Sequence, residues 1–299
     1  AVNTTDASLG NNFQPKQITQ LPTNLRRVND LLSLQPGVTR EGYVAGGRSD
    51  QSNITLDGID INDQQTGGRT LQFDTSQGSA LRATTESVEE FRITTTNANA
   101  NQGRSSGAQI SLVTRSGTND FSGALFYFYR PTEFSANDFF NNLAGVERPS
   151  LARDVFGGRI GGPIFKDKLF FFTNVEIQRD EEPKPFSFND YDGLGDAAKF
   201  TELTNYLSST YGYDPGDYLD NLSTRKGEKI LAKLDWNIND YHRASFKYQQ
   251  NEDIDPRFAD FGGGEISFNS HWFENLYENK SYNVNLYSDW TSNFSTEIR

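Results

Sequence analysis

The sequence contains no cysteine and no methionine, and it has only two histidines among its 299 residues. The absence of cysteine excludes disulfides, thiolate metal sites and thiol catalysis. Neither His242 nor His271 has a partner at catalytic spacing, so we interpret both as solvated surface residues. Because no nucleophile motif, phosphate-binding loop or pair of catalytic carboxylates stands out, we predict no enzyme activity and no cofactor.

Long apolar segments are missing as well. The longest run, ALFYFY at 124–129, is far shorter than the roughly 20 residues that a membrane-spanning helix needs. A strand of a transmembrane barrel needs only about 9 to 11 residues with one apolar face, so a mean hydropathy of -0.69 does not exclude that class of membrane protein. The net charge of -12 argues against nucleic acid as a partner, because a phosphate-binding surface is basic.

The chain changes character near residue 116. Before that point Thr, Asn, Gln, Ser and Gly predominate, and the apolar residues of 25–37 recur at helical spacing up to a Pro-Gly pair, which predicts a short helix. Segments 52–60, 87–96 and 107–117 have the pattern of strands, and the first ends in a glycine-containing turn. We therefore predict a small mixed α+β unit in this part of the chain.

From Phe121 onward the pattern predicts about seven strands joined by connections that alternate between long and short. The predicted strands are 121–130, 156–165, 168–180, 229–238, 242–251, 281–290 and 294–299. The long connections are 131–155, 181–228 and 252–280, and the short ones are 166–168, 239–241 and 291–293. This asymmetry is typical of outer-membrane barrels, which have short periplasmic turns and long outer loops.

These predicted strands each have one apolar and one polar face. In 229–238, Leu234 and Trp236 alternate with polar residues such as Lys233, and only Leu231 breaks the alternation. The strands of a water-soluble β-sandwich alternate in the same way, since one of their faces lines a core. The loop asymmetry and the aromatic residues near the strand ends favour instead an apolar face that meets lipid and a polar face that lines a lumen.

Three ordered segments carry a family resemblance: GGRSDQSNITLDGIDIND at 46–63, SVEEFRITTTNANANQGRSSGAQISLVTRSGTNDFSGALFYFYR at 87–130, and FGGRIGGPIFKDKLFFF at 156–172. They look like the plug and the first barrel strands of TonB-dependent outer-membrane receptors of the Oar-like group, whose members resemble one another in having a carboxypeptidase-regulatory-like domain before the plug. The resemblance implies a mixed α+β plug domain followed by the antiparallel β-strands of a partial transmembrane β-barrel. The implied domains are a linker at 1–20, the plug at 21–117 and the N-terminal part of the barrel at 118–299.

The resemblance also implies a function, a location and partners. The function is energy-coupled transport of a ligand across the outer membrane of a Gram-negative-type bacterium, with the plug gating the barrel lumen. Family barrels have roughly 22 strands, so we expect this chain to be an N-terminal fragment. The implied partners are the TonB complex, outer-membrane lipid and an extracellular ligand. We identify no Ton box in the sequence and expect contact with TonB through one upstream.

Two groups of candidate residues follow from the resemblance. The plug signature comprises Gly46, Gly47, Arg48, Asp57, Gly58 and Asp60, and the plug-barrel junction comprises Gly107, Arg115 and Gly117. In the signature, the glycines permit tight turns, and Arg48 and Asp57 form polar contacts that hold the plug or transmit its displacement. The simpler interpretation is turn chemistry alone. The spacing of Asp57, Asp60 and Asp63 lacks the full ligand set of a calcium loop, so we predict no metal.

The long loops supply a third group. Segment 181–228 has ten acidic and four basic residues, and both it and 252–280 are rich in aromatic residues. The candidate ligand-binding residues are Tyr211, Tyr213, Tyr218, Trp272, Phe273 and Tyr277. Aromatic rings stack on sugars and on peptide side chains, which favours an oligosaccharide or a peptide over a ferric siderophore. The alternative is that charged loops only keep an outer surface soluble.

Two other functional classes remain open at this point. One is a surface adhesin or secreted β-rich binding domain without transport. The same alternating strands are compatible with such a domain. The other is a hydrolase of extracellular glycans, for which the sequence nominates no catalytic pair of carboxylates.

Overall fold

The computed structural model describes residues 9–21, 28, 31, 34–39, 43–47, 51–62, 83–96, 103, 105–137, 139–144, 148, 152–184, 188, 191–218, 221–257 and 266–298. These residues form two β-sheets and a few short helices. The strands are β1 (Leu9–Phe13), β2 (Asn53–Leu56), β3 (Ile59–Asp60), β4 (Val88–Thr96), β5 (Gln109–Thr114), β6 (Ser122–Arg130), β7 (Ala152–Phe165), β8 (Leu169–Lys184), β9 (Asn221–Asn237), β10 (His242–Arg257), β11 (Phe273–Thr291) and β12 (Phe294–Ile298). The α-helices are α1 (Pro15–Gln20), α2 (Phe139–Ala144) and α3 (Ala197–Tyr211), and 3-10 turns lie at Thr132–Phe134 and Asn269–His271.

The first five strands form a small sheet in the order β1-β4-β5-β2-β3. Strands β2 and β5 run parallel, and the other neighbours are antiparallel. Its apolar residues, among them Phe91, Ile93, Ile110 and Leu112, are almost completely buried in one core together with Ile18 of α1. The small sheet therefore has a hydrophobic core of its own.

A tight hairpin joins β2 to β3. Asp57 and Gly58 both have positive φ angles, 51° and 81°. This conformation at both central residues defines a type I′ turn, for which Asp-Gly is a favoured pair. The hairpin projects the Asp57 side chain from the end of the small sheet.

Strands β6 to β12 form a large antiparallel sheet in which the strands follow one another in chain order. The predicted strands and short turns are present, but several strands are longer than predicted. Strand β9 begins at Asn221, β10 continues to Arg257 and β11 begins at Phe273. The predicted loops 181–228 and 252–280 therefore shrink to 185–220 and 258–272, and 131–155 shrinks to 131–151. The predicted ends were wrong because the apolar alternation stops there, while backbone pairing continues between polar residues.

The longest helix, α3, lies inside a segment that was predicted to be a loop. It begins after Asp196, whose carboxylate accepts a hydrogen bond from the Lys199 N–H at 3.0 Å, and it ends at Gly212 with φ 63°. Both are common helix boundary signals. The predicted helix at 25–37 falls largely outside the described residues. Among the helices that are described, none has the length and apolar content needed to cross a membrane.

Candidate functional site

The two faces of the large sheet have inverted exposure. Apolar side chains such as Leu125 (92% exposed) and Trp290 (57%) lie on the outside, whereas Glu176 (2%) and Lys247 (4%) are buried on the opposite face. A soluble β-sandwich buries its apolar face. Leu234 and Trp236, which a sandwich would seal between two layers, are also exposed here. The inversion argues against the sandwich interpretation.

The buried polar face carries ion pairs between strands. Arg153 lies opposite Asp180, which lies opposite Arg225, and Arg225 pairs with Asp255 at 2.8 Å. The result is a row of alternating charge across β7, β8, β9 and β10. A second pair, Glu176 and Lys229, lies in cross-strand register at 2.8 Å. The charges of this row and of this pair are thus compensated within the large sheet.

The small sheet contacts this polar face through a few polar bonds. The Lys247 ammonium donates to the Asp57 carboxylate at 2.5 Å, and the Arg159 guanidinium donates to Glu86 at 3.0 Å. The Thr84 hydroxyl donates to Asn174 Oδ1 at 2.7 Å, and Lys233 Nζ donates to the Ser116 hydroxyl at 2.8 Å. Among the described residues, hydrogen bonds and ion pairs thus join the small sheet and its flanking segments to the large sheet at these four points and at others.

Asp57 makes the most extensive of these contacts. Its Oδ1 accepts from the Thr114 N–H at 2.8 Å, and its Oδ2 accepts from the Thr114 hydroxyl at 2.8 Å and from Lys247. Burial raises the pKa of the Asp57 carboxyl, but Lys247, the Thr114 hydrogen bond and the more distant Lys233 lower it, and the net pKa lies below its ordinary value. Asp57 is therefore an anionic link between strand β5 and strand β10.

A cavity of about 670 Å³ adjoins this link. It lies between the Asp57-Gly58 hairpin, the segment that follows β5, and the polar ends of β9, β10 and β11. Its charged lining residues are Asp57, Lys233, Asp235, Arg243 and Lys247. Three cations and two carboxylates converge there, at the end of the sheet where the short turns lie.

The plug signature residues serve different purposes in the structure. Gly46 has φ 81°, and the Gly47 N–H donates to the Val44 carbonyl at 2.8 Å, as in a tight turn. Asp60 Oδ1 accepts from the Asn62 N–H at 2.8 Å, which is local turn chemistry. Arg48 and Asp63 lie outside the described residues. Within the described part of the chain, no group of three or more acidic or histidine side chains is arranged to hold a metal ion.

Two of the three predicted junction residues, Arg115 and Gly117, lie between the last strand of the small sheet and the first strand of the large one, whereas Gly107 precedes β5 and lies within the small-sheet region. Arg115 Nε donates to the Val88 carbonyl at 3.2 Å, so its side chain stays with the small sheet. A Cβ at Gly107 would crowd the backbone of Gln51, and one at Gly117 would overlap the carbonyl oxygen of Phe171. Gly117 therefore permits the chain to pass close to strand β8.

The predicted ligand-binding aromatics divide into three groups. Two predictions are corrected: the ligand-binding role of Tyr218, and the placement of Phe273 and Tyr277 in a loop. Tyr218 is only 8% exposed and packs in a cluster of rings with Phe188, Phe200 and Phe268. It is a packing residue, because α3 and the segment around Phe268 fold against it. Phe273 and Tyr277 lie on strand β11 and not in a loop, because β11 starts earlier than predicted.

The remaining aromatics of this set lie outside the strands. Tyr211 ends α3 and is exposed, and the Tyr213 hydroxyl hydrogen bonds with the Ser270 hydroxyl at 3.1 Å. Trp272 follows the 3-10 turn at Asn269–His271. The Asn269 N–H also donates to the Asp217 carbonyl at 2.8 Å, so the two long connections are bonded to each other.

Sequence reasoning missed the large-sheet partners of the small sheet. Alternation assigns Lys233, Lys247 and Asn174 to the polar faces of their strands, and it says nothing about contacts with the small sheet. Lys247 is separated from Asp57 by 190 positions. The one sequence signal for such a contact is a lysine in the middle of a strand face that becomes buried. This signal does not identify which acidic residue pairs with the lysine.

Comparisons with known proteins point in one direction. The family described as "Outer membrane beta barrel domain" matches residues 113–190. The TonB-dependent transporter Oar of Myxococcus xanthus is 27% identical over 231 residues, which is 74% of this chain and 20% of that protein. The chain thus spans about a fifth of the length of this curated relative.

Two solved structures share the fold. The outer membrane transporter YddB from Escherichia coli has a TM-score of 0.63 at 13% identity, over 94% of this chain and 37% of that chain. The siderophore receptor PirA from Acinetobacter baumannii has a TM-score of 0.58 at 15% identity, over 97% of this chain and 39% of that chain. The resemblance predicted from the sequence is confirmed, and these findings support the predicted outer-membrane location.

Proposed function

We propose that this chain, which resembles the TonB-dependent outer-membrane receptors of the Oar-like group, supplies the plug and the first seven barrel strands of an energy-coupled transporter. In this proposal the small sheet is the centre of the plug, and the large sheet is the part of the barrel within 118–299. The plug begins earlier than the predicted boundary at 21, because β1 pairs with β4 and Ile18 packs in the core, so residues 9–20 are not a simple linker. The protein moves a ligand across the outer membrane, and no covalent bond is made or broken. The TonB complex supplies the energy through an upstream Ton box.

The inverted exposure of the large sheet is the observation that carries this proposal. On β9 the outward apolar residues run from Ile230 to Trp236, a length of about 20 Å along the strand. At the tilt of roughly 40° that is typical of barrel strands, this length spans about 15 Å of the roughly 25 Å apolar band. The next two outward residues beyond Ile230, Glu228 and Lys226, are charged. A sheet with this pattern is stable where lipid covers the apolar face and the polar face lines a lumen.

The contacts of the small sheet support its role as a gate. A typical intramolecular hydrogen bond contributes about 1 kcal/mol net, and one to a charged group contributes about 1.5 to 3 kcal/mol. Contacts such as the four described above hold the plug in place, while its own core is apolar and separate. When a partner pulls on the plug, the polar contacts between the two sheets should therefore break before the hydrophobic core of the small sheet unfolds. The gate is a two-state element biased by ligand outside and by TonB inside.

The extracellular ligand is proposed from the exposed aromatic residues. Tyr211 and Phe273 are exposed, and they lie in or beside acidic segments. Rings of this kind stack on sugars and peptide side chains, so we propose an oligosaccharide or a peptide as the ligand. Tyr218 is withdrawn from this proposal because it is buried among other rings.

Channel conductance of the full-length receptor tests the gate. Residues 9–114, which hold the small sheet, are deleted in frame, and both proteins are inserted into planar lipid bilayers bathed in KCl. We expect large, steady conductance from the deletion protein and little from the intact one. Heat-modifiable migration in SDS gels confirms that the deletion protein has folded. A folded deletion protein that conducts no better than the intact receptor would contradict the proposal.

A direct binding measurement tests the energy coupling. The purified periplasmic domain of TonB is expected to retain the full-length receptor on a column. The matched control is a receptor that lacks the sequence upstream of residue 9, which should not be retained. Equal retention of the two would argue against coupling through an upstream Ton box.

A further inference from the structure

We propose that Lys233 and Lys247 form a carboxylate-binding site whose resident occupant is the side chain of Asp57. The two lysines are direct cross-strand partners on β9 and β10. They lie on the polar face, with Lys247 almost completely buried and Lys233 largely so. The site therefore takes a small carboxylate, and Asp57 fills it in the state described here.

Two like charges placed opposite each other on one sheet face destabilise the sheet. Charge repulsion would thus disfavour two lysines at these directly opposite positions. Here an anion between the strands offsets the repulsion, because Asp57 binds Lys247 directly and also attracts the charge of Lys233. Lys233 is held further by Asp235 at 3.7 Å and by the Ser116 hydroxyl. The lysine pair thus needs a carboxylate partner that the large sheet itself supplies only in part.

The hairpin delivers that carboxylate from another sheet. Asp57 extends from a type I′ turn, and both of its oxygens are also fixed by Thr114. The geometry is that of a ligand bound in a site: a carboxylate held by a buried ammonium and by hydroxyl and amide donors. Any displacement of the hairpin would vacate the site and leave the lysines uncompensated.

The adjoining cavity gives a small anion room to enter. Its volume of about 670 Å³ is many times that of a formate or acetate ion, and Arg243 adds a third cation to the lining. A vacated lysine pair would therefore accept a free carboxylate. The idea that the site empties during transport rests on the proposed function, whereas binding itself does not.

Chemical rescue tests the site in the full-length receptor. Asp57→Gly removes the carboxylate and suits the positive φ at this position. Hydrogen–deuterium exchange at the Thr114 amide, read from peptides that cover 109–117, should accelerate about tenfold or more, as expected when a charge-assisted hydrogen bond is lost. Added formate should restore protection in a saturable manner. Formamide, which has the same shape and no charge, should not.

Two further variants make the result specific. Asp57→Asn fills the same space with an amide, so formate should not protect it. In Asp57→Gly combined with Lys247→Met, formate should again fail, because the ammonium that holds the carboxylate is gone. A matched control, Glu176→Ala, also removes a buried carboxylate from a lysine on the same face but should leave exchange at 109–117 unchanged.

The proposal fails if formamide protects Asp57→Gly as well as formate does, or if rescue persists without Lys247. If Asp57→Gly does not fold, crystals of Asp57→Ala, which also leaves the site empty, and of the intact receptor are soaked in bromide. Bromide between the two lysines in Asp57→Ala only would support the site, and bromide in both proteins or in neither would overturn it. None of these measurements requires transport, so failure of the site and failure of the transport proposal are distinguishable.

Discussion

Arg153 and Asp180 face each other directly across β7 and β8, and two guanidinium nitrogens contact the two carboxylate oxygens at 2.7 and 2.8 Å. Both side chains are largely buried. Bidentate pairs of this kind combine charge with fixed geometry. The pair begins the alternating row that continues through Arg225 to Asp255.

Asp180→Asn should destabilise the full-length receptor by about 1 to 3 kcal/mol, because it leaves buried guanidinium groups without their charge partner. The loss is measurable as a lower urea midpoint of unfolding in lipid vesicles. The control is Glu181→Gln, which removes the half-buried partner of the exposed Arg179 and should change stability by less than about 0.5 kcal/mol. Equal effects from the two variants would show that the row has no special role.

Attachment of the small sheet should weaken in acid. The folded-state pKa of Asp57 lies below the ordinary value of about 3.9. A lowered carboxyl pKa contributes stability that is present above the unfolded-state pKa and is lost as the pH falls through the folded-state pKa. Amide exchange at 109–117 should thus be steady down to about pH 4 and, once corrected for intrinsic rates, rise below it. Asp57→Asn should show no such rise, and an identical rise in both proteins would assign it to another group.

Phe246→Arg should impair assembly into the membrane. Phe246 is an exposed member of the apolar face, and an arginine facing lipid at mid-membrane depth costs about 2 to 4 kcal/mol. The readout is the fraction of full-length receptor that is heat-modifiable in outer-membrane extracts. The control is Gln250→Arg on the same face, nearer the charged level, where the cost is about 0 to 1 kcal/mol. If both variants assemble like the parent, the apolar face does not meet lipid.

Tyr218→Ala should loosen the outer connections without touching a bound ligand. Removing a large aromatic side chain from a packed cluster costs about 3 to 5 kcal/mol. Trypsin should therefore cut faster near Lys199 in the folded receptor. Tyr211→Ala, at an exposed position, should leave the cleavage rate unchanged. A faster cut in the Tyr211 variant alone would mean that the cluster is not the packing unit.

Gly117→Ala should disturb the junction, because its Cβ would overlap the carbonyl oxygens of Phe171 and Gly162. Overpacking of this kind costs about 1 to 3 kcal/mol. Gly103→Ala is the matched control, since nothing lies within 4 Å of its new Cβ. The two are compared by the rate of proteolysis in the small sheet of the full-length receptor. Similar rates would show that the junction tolerates a side chain.

Much of the large sheet was predictable, because period-two alternation fixes which face each residue occupies once a strand is recognised. The inverted burial was not predictable from alternation alone, since a sandwich alternates as well. Leu231 is an example of a residue whose environment the alternation did not predict. It interrupts the polar face in the sequence, and in the structure it is buried next to Asn174, the residue that receives Thr84.

Only the small-sheet part of the candidate site was predictable from the sequence. An Asp-Gly pair favours a type I′ turn through its own backbone preferences, so Asp57 and Gly58 could be identified as turn residues. The lysines that receive Asp57 depend on long-range packing, which local patterns do not encode. The buried position of Tyr218 was missed for the same reason, because its neighbours come from two separate connections.

Strand β11 is 19 residues long, or about 60 Å if straight, and β9 and β10 are nearly as long. A bilayer core is only about 30 Å thick, so even when tilted these strands rise well beyond it. In the proposed transporter, the outer approach to the lumen is therefore lined by hydrogen-bonded strands. Because these strands are already ordered, binding of a solute there costs little conformational entropy of the backbone.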